Sequence, residues 1–176
     1  FVKKIGFESL SDFKLNISMD LHENLPLEYS DVTLDESVAG IKNKMSHNAQ
    51  ITIQETVDIL KDEEVIKAVD LLEQKEKIFV AGIGASKLVA EDIVQKWGRI
   101  GKSIYLDNDY NNLSPYLDNN QENCALWLIS NSGLTPEIVE FATYAKKLKI
   151  PVISLTRFGN NPLSRTADIP IQVSHP

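Results

Sequence analysis

Three short stretches of this 176-residue chain carry the residue types that hold an anion by hydrogen bonds. The first, Gly82-Ile83-Gly84-Ala85-Ser86-Lys87, follows an apolar run and opens a helical pattern. Glycines let the backbone approach a ligand, and a helix start offers N–H groups without acceptors plus the positive end of the helix dipole. The second is Ser130-Asn131-Ser132-Gly133-Leu134-Thr135-Pro136-Glu137, where Pro136 suits a first helical turn and Thr135 the cap before it. Three hydroxyls, one amide, a glycine and several backbone N–H groups thus converge on a helix start with no adjacent base to activate a nucleophile. That is equipment for a phosphoryl group. The third, Ser154-Leu155-Thr156-Arg157, offers Thr156 to complete a polar rim, and Arg157 as an anion partner or a solvated surface charge.

Each loop also has a plainer reading. The first can be a tight turn with Ser86 as an ordinary N-cap, and the second a serine-rich turn with a good cap. Repetition of a comparable loop at two strand ends favours anion binding. A dinucleotide fingerprint needs a small residue where Lys87 stands, although Asp107 imitates its ribose-binding acid.

The elements that position these loops follow from hydrophobic spacing. Short apolar runs at Ile78–Ala81, Ile104–Leu106, Ala125–Ile129, Val152–Leu155 and Ile169–Val173 start 26, 21, 27 and 17 residues apart. Amphipathic helices fill the first gap, with Val89, Ile93, Trp97 and Ile100 on one face, and the third, with Ile138, Ala142, Ala145 and Leu148. Strand–helix alternation predicts an α/β fold, a five-stranded parallel sheet covered on both faces as a three-layer sandwich. Ligands then bind beyond the carboxyl ends of the strands, where the loops lie. Helical segments precede the sheet. Residues 1–24 read as helical through Phe13, Ile17 and Leu21, and Pro26 stops that helix. Thr33 and Glu36 form a capping box for a stretch toward Leu60, with Ile53, Val57 and Leu60 on one face, and Asp62 caps a third helix ending near Gln74.

Composition removes other classes. Eighteen basic against 25 acidic residues leave a net charge of −7, which repels a nucleic-acid backbone. One cysteine, Cys124, excludes an internal disulfide framework and a cysteine-based zinc cluster, and fits a reducing, cytoplasmic setting. No apolar run spans a membrane, and the start lacks the order of a signal peptide. His22, His47 and His175 are scattered without metal-ligand spacing, so no metal and no cofactor is expected. An isomerase needs a positioned base; Glu91 and Glu137 are candidates, but Glu91 lies a turn past the cap, and the helix dipole accounts for Glu137. Asp107-Asn108-Asp109-Tyr110-Asn111-Asn112 reads either as a reader of hydroxyl groups or as a solvated polar loop.

Together the three loops resemble the sugar isomerase (SIS) domain, a phosphosugar-binding α/β module, over about residues 45 to 176. The specific element is Ser-x-Ser-Gly-x-Thr-x-Glu, met by Ser130, Ser132, Gly133, Thr135 and Glu137, with Gly82, Gly84 and Ser86 matching the first loop. The resemblance implies a phosphate held by Ser86, Ser130, Ser132 and Thr135 with help from Asn131, and with Gly84 of the first loop and the rim residue Thr156 the expected ligand site is Gly84, Ser86, Ser130, Asn131, Ser132, Thr135 and Thr156. Ile5-Gly6-Phe7-Glu8-Ser9-Leu10-Ser11-Asp12-Phe13-Lys14 resembles the last helices of the helix-turn-helix domain of RpiR-type transcriptional regulators. That resemblance implies an effector domain at 34–176 after the end of a DNA-binding domain and linker at 1–33, the remainder lying before Phe1 and a further helix beyond Pro176. It further implies a homodimer that senses a phosphorylated sugar or amino sugar, contacts DNA only through its N-terminal domain, and has no catalytic residue. An aldose–ketose sugar-phosphate isomerase on the same fold is the alternative, and a nucleotide-binding enzyme a third.

Overall fold

A computed structural model describes residues 29–175, so the helix expected over 1–24, Pro26, His22 and the Ile5–Lys14 segment lie outside the described residues. The chain divides into two compact units, residues 1–51 and 52–176. Helix α1 (Val38–Ile59) spans that division. Its cap differs from the expected box: the Ser37 hydroxyl accepts from Gly40 N–H at 3.1 Å. Glu36 instead closes a turn, accepting from Thr33 N–H at 3.1 Å and pairing with Lys44 at 2.6 Å. The hydrogen bond from Lys44 holds the Glu36 carboxyl below the usual carboxylate range. Ile53 and Val57, the expected apolar face, are 66% and 61% exposed.

In the second unit, α2 (Asp62–Gln74) ends where expected. It starts from Lys61 without a side-chain cap, and Asp62 is its first helical residue, where a carboxylate suits the helix dipole. Five strands follow: β1 (Lys77–Gly82), β2 (Ile104–Leu106), β3 (Cys124–Ile129), β4 (Val152–Arg157) and β5 (Ile169–Val173). They form one all-parallel sheet in the order β2-β1-β3-β4-β5. Four helices connect them: α3 (Ala85–Arg99), α4 (Tyr110–Asn119), α5 (Pro136–Lys147) and α6 (Pro162–Thr166).

The sheet is buried on both faces, as parallel sheets require. On one side Phe79, Ala81, Leu126, Leu128 and Val152 pack with Leu113 and Leu117 of α4, Ile138, Phe141, Ala142 and Ala145 of α5, and Leu163 of α6. On the other, Ile78, Val80, Ala125, Ile129 and Ile153 meet Ala68 and Leu72 of α2 and Ala90 of α3. Helix α3 turns Ala90, Ile93, Val94 and Trp97 inward, while Val89 and Ile100 are 44% and 73% exposed. Ala90, fully buried, lets the helix settle closely on the sheet, so the inward stripe runs one residue beyond the one marked by the larger side chains. Trp97 meets Trp127 of β3 edge-on at 5.8 Å, a favourable aromatic geometry.

Candidate functional site

The strand order reverses between β1 and β3: the chain leaves β1 for β2 on one side and β3 for β4 on the other. That switch point opens a crevice at the carboxyl ends of the two strands. Gly82 pairs in register with Ile129, so both loops leave the sheet at the same height.

After β1 the chain turns through Gly84, whose φ of +62° favours glycine, and enters α3. A Cβ on Gly82 would lie 2.6 Å from the Ser86 carbonyl oxygen, so glycine there permits the tight strand-to-helix turn. Gly84 occupies the N-cap, and Ser86 stands inside the first turn, which displaces the reading of Ser86 as an ordinary cap. The Ser86 hydroxyl accepts from Asn131 N–H at 3.4 Å, which ties the first loop to the second.

In the second loop the Ser130 and Thr135 hydroxyls lie 2.8 Å apart. Thr135 holds the N-cap position of α5 but makes no side-chain cap bond, because its hydroxyl turns to Ser130. The Ser132 hydroxyl accepts from Leu134 N–H at 3.2 Å, and Gly133, with φ +66°, donates to the Ser130 carbonyl at 3.0 Å. The opening turns of α3 and α5 leave N–H groups without intrahelical acceptors, and both helices begin beside these hydroxyls. The arrangement is a neutral cradle of hydroxyl and amide donors at two positive helix ends, suited to a tetrahedral anion.

Ser86, Ser130, Asn131, Ser132 and Thr135 therefore come together, with Gly84 at the turn. Thr156 does not reach the rim: it is buried, its hydroxyl donating to the Arg157 carbonyl and accepting from the Asn161 side chain at 3.2 Å. The alternation along β4 turns Thr156 to the face that holds Val152, under α6. Arg157 contributes its backbone N–H to the Asn131 carbonyl at 2.9 Å. Its exposed side chain lines a separate cavity of about 550 Å³ with Glu55, Asp58, Phe158, Ser174 and His175.

Beside the cradle lies a cavity of about 600 Å³ bounded by Lys87, Leu106, Asp107, Asn108, Asp109, Tyr110, Glu137, Glu140 and Phe141. Lys87 and Glu137 belong to the same helical turns as the hydroxyl loops, so the cavity adjoins them. The polar segment after β2 is ordered by its own side chains: Asn108 accepts from Gly82 N–H at 2.9 Å, Asp107 from Asp109 N–H at 2.9 Å, and Asp109 caps α4 through Asn111 N–H at 2.8 Å. Tyr110 stacks on Phe141 at 5.8 Å and meets Tyr144 edge-on at 5.4 Å. The Tyr144 hydroxyl of α5 donates to Asp118 of α4 at 2.8 Å, and that bond pushes its pKa up to about 12. Glu91, half exposed, stands 3.8 Å from Lys87 and does not line the cavity, whereas Glu137 does. Cys124 is fully buried, and burial pushes its thiol pKa up. No helix among the described residues is long and apolar enough to cross a membrane.

Sequence reasoning missed Glu140, Phe141 and Asn161. The Asn161-Pro162 pair is legible as a helix start, but its proximity to a loop 28 residues earlier is not.

Fold and site define a parallel α/β module with two hydroxyl-bearing loops joined at its switch point. Residues 71–176 match the SIS domain, and the chain belongs to that family. Over 173 residues it is 34% identical to the HTH-type transcriptional regulator YbbH of Bacillus subtilis, covering 98% of this chain and 61% of the relative. It is 30% identical over 176 residues to the HTH-type transcriptional regulator HexR of Escherichia coli, again 61% of the relative's length. The chain thus spans about three fifths of the curated relatives it matches. Among solved structures, the Vibrio vulnificus NanR protein complexed with ManNAc-6P superposes with a TM-score of 0.73 at 24% identity, over 99% of this chain and 61% of that one, which confirms the fold.

Proposed function

We propose that this chain is the effector-sensing part of a cytoplasmic transcriptional regulator: it binds a phosphorylated sugar or amino sugar and so controls DNA binding by an N-terminal helix-turn-helix domain. The observation that supports this reading is the joined pair of loops, Ser86 against Asn131, with hydroxyls beside the starts of two helices whose first turns, through Lys87 and Glu137, also line a polar cavity. The phosphoryl group sits among Ser86, Ser130, Ser132 and Thr135, and the sugar hydroxyls face Asp107, Asn108 and Asp109. Sequence likeness to two HTH-type regulators over nearly the whole chain supports the regulatory role, and ManNAc-6P, the ligand of NanR, is a suitable first probe. Regulation needs a ligand that binds two states unequally, and a homodimer supplies them through its subunit geometry.

One observation favours the isomerase alternative: Glu137 lines the cavity and is within the same helical turn as the cradle. Incubating the full-length protein with its best-binding phosphosugar in deuterated water separates the two. The sensor leaves the C1 and C2 protons unexchanged. Exchange well above background, abolished by Glu137→Gln, establishes the isomerase instead.

A further inference from the structure

Asn161 is one of four buried polar residues among those described, and it belongs to none of the anion-binding loops. Its carbonyl oxygen accepts from Ser164 N–H at 2.8 Å, which caps α6, and its amide nitrogen donates to the Thr156 hydroxyl at 3.2 Å and the Gly159 carbonyl at 3.3 Å. Three bonds fix the plane of the amide. The fixed side chain lies directly against Gly133: a Cβ on that glycine would fall 2.1 Å from the Asn161 carbonyl oxygen and 2.2 Å from its carbon. The carbonyl of Gly133 accepts from Leu163 N–H at 3.2 Å, two residues past Asn161. Gly133 is therefore held from both sides, by the amide it rests on and by the start of α6, in its left-handed conformation at φ +66°.

We propose that Asn161 is the positioning residue of the anion site: by holding Gly133 it sets the direction of the backbone N–H groups and hydroxyls of the Ser130–Thr135 loop. This rests on the reading of that loop as an anion cradle. The neutral amide matters as much as its shape. An aspartate at 161 keeps the acceptor for Ser164 but, while ionised, sets an oxygen against the Gly159 carbonyl, makes the Thr156 hydroxyl turn from the Arg157 carbonyl if it is to donate to it, and adds a negative charge beneath the cradle. A protonated aspartic acid restores one donor and removes the charge.

The experiment uses the full-length protein and sulfate, a tetrahedral dianion that keeps its charge over the range in which a buried carboxyl titrates, about pH 4 to 8. Affinity is read from the shifts of the backbone amide resonances of residues 131–135, 137 and 138, and melting temperature is measured alongside. Asn161→Ser keeps an N-cap for α6 but removes the amide against Gly133; it should melt below the wild type, through the loss of the two donated bonds, yet stay folded at the titration temperature and bind sulfate at least tenfold more weakly. For Asn161→Asp the deficit relative to wild type should be larger at pH 8 and should close as the carboxyl protonates toward acid pH. Wild-type affinity in Asn161→Ser, or a pH-independent deficit in Asn161→Asp, overturns the positioning role while leaving the cradle intact. Failure of sulfate to shift these amides in the wild type overturns the cradle itself and the proposal with it.

Discussion

Each hydroxyl of the cradle has a distinct local duty, and this sets what its removal costs. Ser130 and Thr135 hold each other, whereas Ser132 spends only an acceptor on Leu134 N–H and keeps its own proton for a ligand. Ser132→Ala should therefore weaken phosphosugar binding by roughly 1.5 to 3 kcal/mol, the value of a hydrogen bond to a charged group, with little change in melting temperature. Calorimetry against the best-binding phosphosugar checks it. The types and spacing of Ser130, Ser132, Thr135 and Ser86 made them legible in the sequence, because donors at the start of a helix are useful to an anion whatever surrounds them. Thr156 carried the same polar signal, yet strand alternation turns it under α6. The role of Asn161 had no local signal, since it depends on contact with Gly133 across the β4 crossover.

At the scale of elements, the strands were legible because a sheet buried on both faces demands continuous apolar runs, and all five stand where those runs lie. Helix faces were less so. The stripe on α3 followed its largest side chains, but close packing rewards the small Ala90. Helix α4 begins inside the polar Asp107–Asn112 segment and contains Pro115, so its start is masked in the sequence; Asp109 as cap and Leu113 and Leu117 as buried anchors set it. The central strand β3, which feeds the Ser130 loop, depends on its fully buried side chains. Leu128→Ala should cost about 2 to 5 kcal/mol through lost transfer energy and the cavity left behind, measured by denaturant unfolding.

For the whole molecule, the strand order and the net charge of −7 bear on the proposed function together: the crevice at the β1/β3 switch point is where a parallel α/β sheet accommodates ligands, and the acidic charge balance does not favour contact between this chain and a nucleic-acid backbone. The second unit leaves Ile53, Val57, Val65, Ile66 and Val69 exposed on α1 and α2, apolar surface that a symmetric partner would cover. Light scattering of the full-length protein at micromolar concentration should accordingly give the mass of a dimer, and a monomer would remove the subunit geometry on which the proposed regulation depends. In the proposed function the cradle recognises a phosphoryl group on a sugar. The most direct measurement is the thermal stability of the full-length protein against hexose and hexosamine 6-phosphates, each paired with its unphosphorylated sugar. At least one phosphosugar should stabilise the protein, by about 2.7 kcal/mol at a concentration ~100 times its Kd. Its unphosphorylated counterpart should do nothing, and Ser132→Ala should require a higher concentration for the same shift. Equal stabilisation by a sugar and its phosphate, or none by any phosphosugar, would contradict the account.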